Sequence, residues 1–234
     1  MLYYPDIKIA PSILSADYAN LELDLKDLEA KGADFFHIDI MDGHFVPNLT
    51  IGPGVVKDIR NITDLVLDVH LMIEDPEFFI PKFIDAGADI INFHVEAFLK
   101  ENRLDLKKLV KVYSGIKEVR KGLTINPPTD VAYFKEILVN IDLDFILIMS
   151  VNPGFGGQAF IVQVLDKVRT LREEYGFKGD IQIDGGINAE TSALALEAGC
   201  NILVAGNYIL KAVDRREAIA KLKDNISNHR GGVR

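Results

Sequence analysis

Eight short apolar runs recur along the chain, near residues 7–12, 34–40, 64–70, 89–95, 120–125, 143–150, 180–184 and 201–205. Each is strand-sized and dominated by Ile, Val, Leu and Phe, as in strands buried on both faces. The stretches between them carry apolar residues at helical spacing, such as Leu21, Leu25 and Leu28, or Ile161, Leu165, Val168 and Leu171. That alternation predicts βα units and a parallel sheet.

A repeated phrase sets the phase: Lys31-Gly32-Ala33-Asp34, Ala86-Gly87-Ala88-Asp89 and Ala198-Gly199-Cys200-Asn201. Glycine there closes a helix cheaply in the left-handed conformation. The glycines lie 55 and 112 residues apart, two and four multiples of about 28 residues, the size of one βα unit. Eight such units fill about 224 residues, against 234 in the chain. The chain is therefore read as a single-domain (β/α)8 TIM barrel over residues 1–226. The polar, Gly-containing stretch 227–234 is expected to be a frayed tail. A doubly wound sheet is the competing α/β architecture, and eight strands in even phase favour the barrel.

Composition narrows the partners. With 48% hydrophobic and 26% charged residues the chain is ordinary for a soluble domain. A net charge of −9 argues against nucleic acid and anionic membranes as partners. The apolar runs are too short for a transmembrane helix, and the start shows no secretion signal. Cys200 is the one cysteine, so no internal disulfide can form. These points suit a cytoplasmic protein.

Four polar residues interrupt the strand pattern: His37, Asp39, His70 and Asp184. In a strand, residues i and i+2 share a face, so His37 and Asp39 point the same way and Met41 follows. Unpaired inward charges cost several kcal/mol. Two imidazoles and two carboxylates meeting at one end of a barrel would escape that cost by holding a divalent cation. Zn, Fe(II), Mn and Co all suit such a donor set. The plainer reading of His37 and Asp39 alone is a hydrogen-bonded pair, but His70 and Asp184 on two further strands favour the cation. Asp68 shares a face with His70, one layer down, and either orients that ring or makes an interior hydrogen bond. His44 and His94 are weaker candidates, and His229 falls in the tail.

Glycines follow the last three strands: Asn152-Pro153-Gly154-Phe155-Gly156-Gly157-Gln158, Asp184-Gly185-Gly186-Ile187 and Ala205-Gly206-Asn207. Barrels of this kind bind phosphate in the loops after strands 7 and 8. None of the three segments contains Lys or Arg, so the expected grip is main-chain N–H groups. The alternative is that these glycines only make tight turns. Met41, Met72 and Met149 also fall at strand ends, as core filler or as an apolar pocket wall.

A cation, two carboxylates and a phosphate grip suggest proton abstraction beside a carbonyl. An aspartate with a pKa near ~4 is a weak base, so the anion formed must be strongly stabilised. Two acids flanking a planar enediolate would serve inversion at carbon, whereas hydrolysis needs one base and a water.

His37-Ile38-Asp39-Ile40-Met41-Asp42-Gly43-His44-Phe45-Val46-Pro47-Asn48 closely resembles the signature of the ribulose-phosphate 3-epimerase family. So do Ala10-Pro11-Ser12-Ile13-Leu14-Ser15-Ala16-Asp17, Asp68-Val69-His70-Leu71-Met72, Val151 through Gln158 and Asp184 through Ile187. The resemblance spans Ile9 to about Leu210. It implies a ribulose-phosphate-binding barrel interconverting D-ribulose 5-phosphate and D-xylulose 5-phosphate, in the pentose phosphate pathway. It implies one divalent metal ion on His37, Asp39, His70 and Asp184, with Asp39 and Asp184 as acid and base. It implies substrate contacts from Ser12, His70, Gly154, Phe155, Gly156, Gly157, Asp184, Gly185, Gly186, Gly206 and Asn207, and a pocket lined by Met41, Met72 and Met149. It also implies a homo-oligomer. One departure is Asn207, where the family usually has serine. An amide can still donate, so phosphate binding is expected to survive.

Three rival readings share parts of this pattern. A D-allulose 6-phosphate 3-epimerase shares the strand-2 motif. A metal-independent decarboxylase of the same superfamily carries Asp-x-Lys-x-x-Asp on strand 2, where this chain has His37-x-Asp39-x-x-Asp42. A silent phosphate-binding barrel would keep the glycines without needing four cation-type ligands.

Overall fold

Strand residues alternate between two environments, and that alternation builds the molecule. Phe36, Ile38 and Ile40 pack outward with the helices, while Phe35 joins an interior cluster with Phe145, Ile90 and Ile202. The computed structural model describes residues 6–230. Eight parallel strands form one sheet: β1 (Lys8–Pro11), β2 (Phe35–Met41), β3 (Val66–Met72), β4 (Ile90–His94), β5 (Arg120–Ile125), β6 (Phe145–Met149), β7 (Asp180–Asp184) and β8 (Ile202–Ala205). Their order is β1-β8-β7-β6-β5-β4-β3-β2. A parallel bridge between Ser12 and His37 joins the two ends. Ile9 N–H also donates to Asp34 Oδ2 at 2.8 Å. The sheet is thus a nearly closed (β/α)8 barrel, as expected. β2 and β3 run on to Met41 and Met72, so both methionines sit within strands.

Helices α1 (Leu21–Lys31), α2 (Pro53–Ile62), α3 (Pro76–Asp85), α4 (Leu106–Gly115), α5 (Tyr133–Asn140), α6 (Leu165–Arg169), α7 (Ala189–Ala198), α8 (Asn207–Leu210) and α9 (Arg215–Arg230) follow the strands. Local signals start and stop them. Asp75 caps α3 through Phe78 N–H with Pro76 in the first turn, and Asn188 and Thr191 form a capping box on α7. The repeated glycines end helices as their spacing predicts: Gly32 and Gly199 are left-handed caps with φ of 98° and 113°. Leu25 and Leu28 of α1 are fully buried, each contributing about 1.5–3 kcal/mol.

Two details departed from the pattern. A small hairpin, Leu99–Lys100 with Arg103–Leu104, precedes α4, turning through Glu101 and Asn102 at positive φ. The helical run after β6 splits into a short α-helix and a π-helical turn, Thr170–Glu174. The stretch expected as a tail from 227 starts inside α9, and 231–234 lie outside the described residues. No helix among the described residues is long and apolar enough to cross a membrane.

Candidate active site

The parallel register of β2 and β3 sets the site in rows. His37 lies beside Asp68, Asp39 beside His70, and Met41 beside Met72. With a side-chain period of two, these three pairs face the interior one above another. β7 brings Gln182 and Asp184 to the same face, and β4 brings Asn92 and His94.

The lower row is a saturated hydrogen-bond floor. Asp68 Oδ2 accepts from His37 Nδ1 at 2.7 Å and from Gln182 Nε2 at 2.5 Å. Its Oδ1 accepts from Asn92 Nδ2 at 2.8 Å, and Asn92 Oδ1 accepts from Thr124 Oγ1 at 2.9 Å. All five residues are buried. Because Asp68 Oδ2 accepts from His37 Nδ1, Nε2 is the nitrogen of that ring that faces upward. Asp68 therefore orients His37 rather than His70. Gln182 and Asn92 carry no distinguishing signal of their own in the sequence, although Gln182 stands two residues before Asp184 and Asn92 two before His94.

Above the floor, one atom each from His37, Asp39, His70 and Asp184 lies within 4.8 Å of all the others. His37 Nε2 is 3.5 Å from Asp39 Oδ1, 3.9 Å from Asp184 Oδ2 and 3.3 Å from His70 Nδ1. His70 Nδ1 is 3.1 Å from Asp39 Oδ1. Ser12 Oγ donates to the other oxygen of Asp39 at 2.6 Å. The two histidines are wholly buried, and the Asp184 side chain is 14% exposed.

This crowding moves protons. Burial works against the imidazolium of His37, but Asp68 and Asp39 outweigh it and raise its pKa well above the ordinary value. Burial would raise Asp39, yet the His37 imidazolium beside it holds it well below the usual carboxylate range. Burial, helped by His94 and His37, lowers His70 to about 4. Burial and then the Asp39 charge push Asp184 up to about 7. The pKa values of the two carboxylates are thus displaced in opposite directions.

The cluster fits a divalent cation on its own chemistry. Two carboxylates and two inward imidazole nitrogens are all electron-pair donors once deprotonated, and without a cation they relieve their crowding only by retaining protons. A cation satisfies all four at once.

The cluster opens upward into a small cavity of about 90 Å³. Asp39 and Asp184 lie in its wall, as do Ser12 and the three methionines Met41, Met72 and Met149. Gly154, Phe155, Gly156 and Gly157, with Gly185 and Gly186, form another side, and Gly206 and Asn207 complete it. No Lys or Arg lines the cavity among the described residues. Of the residues expected against a substrate, only His70 lies behind the wall. Gly186 has φ of 65°, and a Cβ there would fall 2.7 Å from Phe160 N. A side chain at 186 would therefore collide with backbone, which cannot swing away. A Cβ at Gly157 would fall 2.7 Å from Asn207 Nδ2, so the Asn207 amide reaches the glycine loop of β6. Asn48 Nδ2 donates to Gly154 O at 2.7 Å and ties the loop after β2 to the same rim. Ser15, also in the wall, had no distinguishing signal in the sequence beyond its motif.

The family model described as ribulose-phosphate 3 epimerase family matches residues 8–210. The chain is 48% identical over 223 residues to the ribulose-phosphate 3-epimerase of Bacillus subtilis (strain 168), covering 93% of this chain and 98% of that one. It is 45% identical to the ribulose-phosphate 3-epimerase of Synechocystis sp. (strain ATCC 27184 / PCC 6803 / Kazusa), covering 94% of each. In fold it is similar to 3-hexulose-6-phosphate synthase from Salmonella typhimurium, with TM-score 0.69 at 16% identity over 95% of this chain and 100% of that one. KGPDC from Streptococcus mutans superposes with TM-score 0.68 at 16% identity over 97% and 99%.

Proposed function

Since the chain belongs to the ribulose-phosphate 3-epimerase family, we propose that it interconverts D-ribulose 5-phosphate and D-xylulose 5-phosphate by proton transfer at C3 between Asp39 and Asp184. The observation carrying this reading is the pair of carboxylates. They come from strands separated by β1 and β8, approach the same imidazole, and have pKa values displaced in opposite directions.

Asp39, ionised, takes the C3 proton from one face of the sugar, and its electron pair moves toward the C2 carbonyl oxygen. Asp184, protonated, returns a proton to C3 from the opposite face, giving the epimer. The turnover leaves Asp39 protonated and Asp184 ionised, which is the arrangement the reverse reaction starts from. Ser12 Oγ, hydrogen-bonded to Asp39 Oδ2, fixes the rotamer of that base. A divalent cation held by His37, Asp39, His70 and Asp184 would supply Lewis-acid stabilisation of the developing oxygen charge. Met41, Met72 and Met149 keep water from the planar anion. Main-chain N–H groups of Gly157, Gly185, Gly186 and Gly206 receive the phosphate, and the cavity wall's lack of Lys and Arg supports that grip.

Incubation with ribulose 5-phosphate in D2O tests the reading. Xylulose 5-phosphate carrying deuterium at C3 is expected. No C3 exchange in cation-replete protein would refute the epimerase reading, and a strong preference for allulose 6-phosphate would reassign its substrate.

A further inference from the structure

Behind the wall of the cavity a second line of polar groups leads away from the cluster, and the proposed reaction does not use it. His70 Nε2 lies 2.8 Å from Nε2 of His94, the last residue of β4. Nδ1 of His94 lies 3.2 Å from Glu96 Oε2. Glu96 Oε1 accepts from Asn126 N–H at 2.7 Å, so the loop after β5 anchors the far end. The rings of His70 and His94 are stacked with centroids 5.0 Å apart, and Phe45 packs on His94 at 4.8 Å. Both histidines are wholly buried, so water has no place in the line.

Hydrogen-bond logic gives this line a direction. The Glu96 carboxylate can only accept, so His94 carries its proton on Nδ1 and donates it there. With its ring proton on Nδ1, His94 presents a lone pair on Nε2 and accepts from its neighbour. His70 therefore carries its proton on Nε2, which leaves Nδ1 bare and turned toward Asp39 and His37. The opposite tautomer would set two N–H groups, or two lone pairs, against each other at 2.8 Å.

We infer that Glu96 and His94 form a tautomer relay that sets His70 to offer Nδ1 as a cation ligand. They are positioning residues: neither is within hydrogen-bonding reach of the substrate cavity except through His70. The inference rests on the reading that the four-residue cluster holds a divalent cation. It makes His70 the counterpart of His37, whose outer nitrogen is held by Asp68. Each inward nitrogen is thus made basic by a carboxylate, directly for His37 and through a second imidazole for His70.

Glu96→Gln is the sharpest perturbation, because it keeps the shape but lets the amide donate. A donating amide reverses each link and moves the His70 proton onto Nδ1, into the cluster. His94→Phe removes the acceptor altogether, whereas His94→Gln keeps an oxygen that can accept from His70. Two measurements read the relay. In cation-free protein, ¹⁵N shifts of His70 should place the proton on Nε2 in the wild type and on Nδ1 in Glu96→Gln. In titrations with Co²⁺ against a competing chelator, Glu96→Gln and His94→Phe should bind about 10–100-fold more weakly, with His94→Gln recovering much of the loss. Unchanged Co²⁺ affinity in both weakened variants, or a His70 proton that stays on Nε2 in Glu96→Gln, would overturn the relay. Wild-type protein that takes up no Co²⁺ would overturn the cation reading instead, and the ¹⁵N shifts would still decide the tautomer.

Discussion

Asp184→Asn should make the cation-free protein more stable while disabling it. The carboxyl of Asp184 moves from 3.8 to about 7 because it is buried beside Asp39. Its folded pKa is therefore raised, and the folded state holds a proton that the unfolded chain releases near pH ~4. Stability consequently falls as pH rises from that value through about 7, because the buried site must ionise or keep a proton the solvent no longer favours. A shift of about 3 pH units at about 1.36 kcal/mol each sets the full cost on the order of 4 kcal/mol. At about pH 5 less than half of that cost has accrued. An asparagine mimics the protonated acid in shape and charge and bears none of it. Urea unfolding of chelator-treated wild type and variant should thus show the variant more stable at about pH 8, with the gap shrinking by more than half at about pH 5. The same variant should lose orders of magnitude in turnover on ribulose 5-phosphate, since one proton carrier and one candidate ligand are gone. Equal unfolding free energies at the higher pH would refute the burial argument, and near-normal turnover would refute the assigned role. The combination expected here is a site that carries a stability cost for its function.

Two further outcomes follow from the same geometry. Cation uptake must displace the proton on Asp184, so apparent affinity should drop about tenfold between about pH 8 and about pH 6 through that group alone. The raised pKa of His37 steepens the drop; calorimetry in buffers of different ionisation enthalpy should count at least one proton released, and pH-independent binding without proton release would contradict the competition. Asn207→Ala should raise KM for ribulose 5-phosphate several-fold with kcat little changed, because the amide sits against the Gly157 loop and away from the carboxylate pair. Steady-state kinetics showing a fall in kcat at constant KM would place Asn207 in the chemistry instead.

Much of this architecture could be read from the linear chain, because its signals are local. A period of two in the strands, a period near 3.6 between them and a glycine at helix ends are each written within a few residues. Eight repeats of that unit leave few ways to close, and the barrel follows. The four marked residues were legible for a related reason: a charge on the inner face of an apolar strand is an anomaly visible without coordinates.

What the chain could not disclose is which of those groups touch. The one-to-one register of β2 on β3 puts Asp68 beside His37 and makes it the orienter of that ring, although its own strand-mate is His70. The line from His70 through His94 to Glu96 crosses two strands and a loop, and in the sequence His94 is only a weaker candidate. The opposed pKa displacements of Asp39 and Asp184 also depend on distances between strands remote in the chain. Local sequence determines which face a side chain takes, because backbone geometry repeats every few residues. Tertiary structure decides its neighbours, because register and barrel closure bring distant residues within hydrogen-bonding range, and at that range a proton's position is settled by partners rather than by residue type.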